Sequence, residues 1–117
     1  MLNQVVIVGR LVEDPKVEKG DNHNYSFLRL AVPRSYKNAD GVYETDFINC
    51  KLWDAVAENT AEYCKVGDMV GIKGRVESYS YEKDNQKFSG MNVQAEKVTF
   101  LASSRENKEK NEEEQER

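Results

Sequence analysis

The hydrophobic period of this chain changes at Asp54, and that change restricts the folds open to it. From Asp54 to Gly67 the run "DAVAENTAEYCKVG" is rich in helix formers. Its apolar or small positions, Val56, Ala57, Thr60, Ala61 and Cys64, fall on one helical face. Asp54 is placed to cap this helix and Gly67 to stop it. Elsewhere the period is two. The runs "QVVIVGRL", "YSFLRLAV" and "TDFINCKLWD" precede the helix, and "DMVGIKGRVESYSY" and "MNVQAEKVTFL" follow it.

Three strands, one helix and two strands match the five-stranded Greek-key barrel called the OB-fold. The expected fold is therefore an all-β OB-fold barrel with one α-helix between strands 3 and 4. A β-sandwich, the competing architecture, needs about seven strands. Gly9 in mid-strand suits a bulge or a tightly coiled barrel corner. The stretches "EDPKVEKGDNHN" and "EKDNQKFSG" read as polar connections, Pro33 as the interruption of the second strand, and Asp40-Gly41 as a hairpin tip. At 117 residues the chain supports one domain, expected over 1–102. Residues 103–117 carry no aromatic or aliphatic side chain and are expected to be a disordered charged tail, a charged helical extension being the alternative.

The strands' faces carry the functional signal. In the third strand Ile48, Cys50 and Leu52 form a core stripe, while Phe47, Asn49, Lys51 and Trp53 share the other face. A core does not favour the lysine, and a plain solvated face does not favour the tryptophan. The fourth strand repeats the pattern, with Val70, Ile72, Gly74 and Val76 inward and Lys73, Arg75, Tyr79 and Tyr81 outward. Arg34, Tyr36 and Lys37 follow the second strand. Taken as neighbours, the third and fourth strands interleave exposed rings with basic groups. Single-stranded nucleic acid calls for this combination, since rings stack on unpaired bases and cations follow the phosphates. Arg34, Lys51, Lys73 and Arg75, with Arg10 and the loop residues Lys83 and Lys87, are the candidate phosphate partners. The competing reading packs the rings under loops or at a subunit interface; Phe27 and Tyr63 are assigned to packing. In the first strand Val6 and Val8 make a second apolar face that asks for a partner surface.

Other classes are weaker. Metal-dependent cleavage needs clustered carboxylates; Asp46 sits at a strand end and Asp54 at a helix start, and nothing places a third acid beside them, so no enzyme is expected. A protein-docking module on the same scaffold and a preference for RNA stay open. Cys50 and Cys64 read as reduced buried thiols and His23 as a loop residue, so neither metal nor cofactor is expected. No run reaches the roughly 20 apolar residues of a membrane span, and the N-terminus lacks signal-peptide features, so a cytoplasmic location is expected. The formal net charge is −4, half of it in the tail, where four basic residues meet six glutamates.

The segments "VGRLVEDP", "LRLAVPRSY" and "DFINCKLWD" resemble bacterial single-stranded DNA-binding proteins, which coat DNA in replication, recombination and repair. The resemblance implies stacking by Tyr36, Phe47, Trp53 and Tyr81, and a homotetramer; Tyr79 joins the stacking candidates from the alternation of the fourth strand alone. Members of that family end in an acidic tip closed by a phenylalanine. Here "NEEEQER" has no apolar residue, so recruitment of replication and repair proteins is not expected, as suits a shortened paralogue or a phage or mobile-element copy.

Overall fold

A computed structural model describes residues 1–104. The chain runs β1 (Val5–Leu11), β2 (Glu18–Lys19), β3 (Asn24–Lys37), β4 (Tyr43–Trp53), α1 (Asp54–Tyr63), β5 (Met69–Lys83) and β6 (Gln86–Ala102). The five long strands follow the order β1-β5-β6-β4-β3, and β1 also pairs with β3, which closes the barrel. This is the OB-fold that the strand and helix order implies.

The period-two stripes become the core. Leu28, Leu30, Cys50, Leu52, Val70 and Ile72 are fully buried, with Leu11, Ala57 and Cys64 packed among them. Burying each large aliphatic side chain contributes about 1.5–3 kcal/mol. Gly9 marks the corner at which β1 passes from β5 to β3: Val5 to Arg10 pair with β5, while Arg10 and Leu11 pair with Ala31 and Leu30. A Cβ at Gly9 would stand 2.9 Å from the Ala31 carbonyl oxygen, so the closure needs glycine.

Four local expectations are corrected. Pro33 does not end its strand; β3 continues to Lys37 through a register shift between Pro33 and Lys37. Proline is tolerated in a strand at such an irregularity. The stretch "EKDNQKFSG" is mostly hairpin rather than loop. Strands β5 and β6 stay paired out to Lys83↔Gln86, and Asp84 and Asn85 turn the corner with φ of 53° and 64°. Two successive left-handed residues are the signature of a tight hairpin turn.

Asp54 does not cap α1 with its side chain. Trp53 holds the N-cap position, and the Asp54 carboxylate instead accepts the Asn24 backbone N–H at 3.0 Å and meets His23 Nδ1 at 2.9 Å. At φ 46° Asp54 is the sharp corner between sheet and helix, and its carboxylate ties that corner to the start of β3. Finally, β4 and β5 are not adjacent. The crossover through α1 leaves β6 between them, parallel to β4 and antiparallel to β5.

Ser104, placed in the tail by sequence, donates its amide to the Asp68 carboxylate at 3.3 Å. The rest of the expected disordered tail, 105–117, lies outside the described residues.

Candidate nucleic-acid interface

Although β6 separates β4 from β5, it joins their outer faces. Phe27 of β3 pairs with Lys51 of β4, Lys51 with Gln94 of β6, and Gln94 with Arg75 of β5. Cross-strand partners point to the same side of a sheet, so these four side chains make one row across the barrel. Beside it, Tyr25 pairs with Trp53. Phe47 and Trp53 are 52% and 41% exposed, while their alternating neighbours Cys50 and Leu52 are sealed inside.

Lys51 explains its own place among the rings. Its Nζ lies 4.2 Å from the Trp53 ring centroid, 5.2 Å from that of Tyr25 and 5.3 Å from that of Phe27. An ammonium over aromatic faces is held by their quadrupoles, at about 0.5–1 kcal/mol for an exposed pair. The rings themselves meet edgewise or tilted, Tyr25–Phe27 at 5.7 Å and Tyr25–Trp53 at 6.0 Å. His23 is edge-on to Trp53 at 6.2 Å. Trp53 Nε1 donates to Gln94 Oε1 at 2.9 Å, which fixes the indole without covering it. Further along β4, the Arg29 guanidinium carbon sits 4.8 Å from the Phe47 centroid.

Tyr25, Phe27, Arg29 and Gln94 are additions to the residues selected from sequence. Phe27, assigned to packing, is 49% exposed on this face, and Tyr63, assigned likewise, is 70% exposed on α1. The pairing of Phe27 with Lys51 is what moves it, and that register is not visible in one strand alone.

The remaining candidates are spread around the barrel. Tyr79, Tyr81 and Phe88 form a stacked ladder on the β5–β6 hairpin, with centroids 6.3 Å and 5.2 Å apart and rings within 20° of parallel. Tyr79 crosses Gly90, where any Cβ would collide with its ring. Lys83 and Lys87 lie at the tip of the same hairpin. Tyr36 is exposed near the end of β3. Lys73 pairs with Val6 and with Lys97, which puts it beside the exposed Val6 and Val8 rather than beside the rings. Arg10 donates to the Gly67 carbonyl at 3.0 Å.

Several charges are already matched. Arg34 donates to both Asp46 oxygens, at 2.9–3.2 Å, and to Glu44. The hydrogen bond from Arg34 holds the Asp46 carboxyl below its ordinary range, against an opposing burial effect. Arg75 meets Glu96 at 3.3 Å and Glu77 at 3.5 Å. Asp46 and Asp54, weighed as a metal-binding pair, are thus engaged with Arg34 and with His23 and Asn24. Burial pushes the Cys50 thiol up to about 11, and burial followed by Asp68 raises that of Cys64. No helix among the described residues is long and apolar enough to cross a membrane.

Residues 2–101 match the single-strand binding protein family. Among curated proteins, the chain is 46% identical over 94 residues to single-stranded DNA-binding protein B of Bacillus subtilis, covering 80% of each. It is 41% identical over 107 residues to single-stranded DNA-binding protein 1 of Lactococcus lactis, covering 90% of this chain and 71% of that one. Among solved structures, a deletion mutant of the single-stranded DNA binding protein from Thermus aquaticus superposes with a TM-score of 0.74 at 25% identity. That match covers 88% of this chain and 52% of the other, so the chain spans about half of that protein.

Proposed function

The chain belongs to the single-strand binding protein family, and from that premise we propose that it binds and protects single-stranded DNA on the outer face of β3, β4 and β6. One observation carries the reading: Tyr25, Phe27 and Trp53 surround Lys51 on one contiguous outer face, with Phe27 and Trp53 exposed and Tyr25 and Lys51 half-buried between them. Bases stack on the rings, at about 1–3 kcal/mol each, and the strand is held largely without regard to sequence because every base has a π-face. When a base arrives, Lys51 leaves the rings for a phosphate. Phe47 continues the path, and Tyr36 on β3 and the Tyr79–Tyr81 ladder on the β5–β6 hairpin extend it beyond Phe47. Arg75, Lys73, Arg10, Lys83 and Lys87 follow the backbone, and Arg34 joins them only if released from its carboxylates. The binding unit is the barrel, residues 1–102, and it works without catalysis, in the cytoplasm, during replication, recombination and repair.

The proposed assembly is a homotetramer. Val6, 71% exposed, and Val8 supply an apolar strip on β1 for a second copy. A glutamate in place of Val6 is expected to dissociate it, as read by mass photometry; an unchanged mass would place the interface elsewhere.

Trp53, the only tryptophan, is the natural probe. Its fluorescence is expected to be quenched by oligothymidylate and not by duplex DNA of equal length, with oligouridylate as the RNA comparison. Equal responses to single strand and duplex would contradict stacking.

A further inference from the structure

Strands β4 and β6 are paired only at Cys50↔Val93 and Lys51↔Gln94. Below that contact they separate, and the gap is an open, mostly apolar cleft of about 350 Å³. Its floor is Ile48, Val76 and Val93, and its walls are Phe47 and Met91. Both walls are exposed, Met91 markedly so. Asn49 and Asn92 also line it, and their side chains have no hydrogen-bond partner among the described residues. A volume near 350 Å³ lies at the lower end of the roughly 300–1,000 Å³ of small-molecule sites.

We propose that this cleft takes one nucleobase of the bound strand, edge inward, and that Asn49 and Asn92 read its hydrogen-bonding groups. The inference rests on the single-strand binding proposed above. Three features favour a base over another occupant. Phe47 belongs both to the cleft and to the stacking face, so a strand crossing that face passes the opening. The apolar floor and the Met91 thioether suit a flat heterocycle. A carboxamide presents a donor and an acceptor side by side, which is how asparagine pairs with the edge of a base such as adenine. Arg29, over the Phe47 ring, lies beside the opening for the attached phosphate. Stacking elsewhere on the face is indifferent to base identity, so the cleft is where a preference enters.

The test compares oligothymidylate, oligodeoxyadenylate and oligodeoxycytidylate of equal length, with affinities read from Trp53 fluorescence. The variants are Asn49→Ala and Asn92→Ala. Asn92→Asp keeps the shape but removes the donor, and serves if the alanine at half-buried Asn92 disturbs the strand. Self-stacking of each oligonucleotide is common to wild type and variant, so the ratio of dissociation constants between bases is the measure. The expected result is a change in that ratio of about fivefold or more, the low end of what a bidentate contact supplies. Ratios within twofold of wild type, with all three oligonucleotides still bound, would overturn the cleft as a reading site and leave the stacking face standing. Equal weakening for every base would overturn it too, as would a changed particle mass, which would make the cleft an interface between copies. Failure of the wild-type protein to bind any of the three would instead remove the proposed function itself.

Discussion

Trp53 is hydrogen-bonded through its indole Nε1–H to Oε1 of Gln94, at 2.9 Å, and the bond links β4 to the strand beside it. The exposed ring is therefore held in one orientation before any ligand arrives. Replacing Gln94 by alanine is expected to weaken single-strand binding by about 0.5–1.5 kcal/mol, the net worth of one hydrogen bond. The accompanying signature is a drop in Trp53 fluorescence anisotropy in the free protein. Unchanged anisotropy would mean that neighbouring rings, not Gln94, orient the indole.

Phe27 and Leu28 are consecutive in β3 and face opposite ways. Phe27→Ala is expected to cost about 1–3 kcal/mol of DNA affinity with little effect on the urea midpoint. Leu28→Ala is expected to cost about 2–5 kcal/mol of stability. A Phe27→Ala protein that unfolds early and binds normally would return Phe27 to a packing role.

Lys51 and Arg34 are both cationic but differently engaged, one over aromatic faces and one inside a carboxylate clamp. Lys51→Met is expected to reduce the slope of log affinity against log salt by about 0.7, one phosphate contact on a single strand. Arg34→Met is expected to leave that slope nearly unchanged, because its charge is matched by Asp46 and Glu44. The opposite ranking would show that DNA displaces the clamp.

Burial raises the Cys50 thiol to about 11. The folded state therefore favours the protonated thiol. That preference stabilises the fold fully below the unfolded value near 8.5 and is lost as pH rises toward about 11. Cys50→Val is expected to flatten the fall in urea midpoint between about pH 8.5 and 11. Lysine and tyrosine titrations occur in both proteins and cancel in the comparison. Identical pH profiles would show that Cys50 ionises freely in the fold.

Much of the barrel was legible because its strands are one-sided. Leu28, Leu30, Cys50, Leu52, Val70 and Ile72 alternate with exposed or half-buried residues, and the change of period at Asp54 locates the helix. Phe47, Lys51 and Trp53 emerged from the same alternation. What escaped depends on pairing between distant segments. Phe27 reads as packing from its strand alone, and its register against Lys51 puts it on the outer face. The β5–β6 hairpin reads as a loop because most of its residues are polar, yet Tyr81 stacks on Phe88 across the turn. Lys73 and Arg75 have the same parity in β5, but one stands beside Val6 and the other beside Gln94. The role of Asp54 escapes the sequence for a similar reason, since its partners, His23 and Asn24, lie about thirty residues upstream at the start of β3.

The barrel is closed along two short seams, Arg10↔Ala31 with Leu11↔Leu30 on one side and Cys50↔Val93 with Lys51↔Gln94 on the other. Between them are two broad ribbons, β3–β4 and β1–β5–β6, each joined by a long ladder. Lys51 and Gln94 belong to a seam and also to the stacking row. On the proposed binding mode, a strand of DNA lying over that row would grip both ribbons at once and so fasten the shell like a clasp across a split ring. Whatever binds only the closed shell also stabilises it. The backbone amides of Cys50 and Val93 are accordingly expected to exchange hydrogen more slowly once DNA is bound, and equal exchange rates would show a seam already shut.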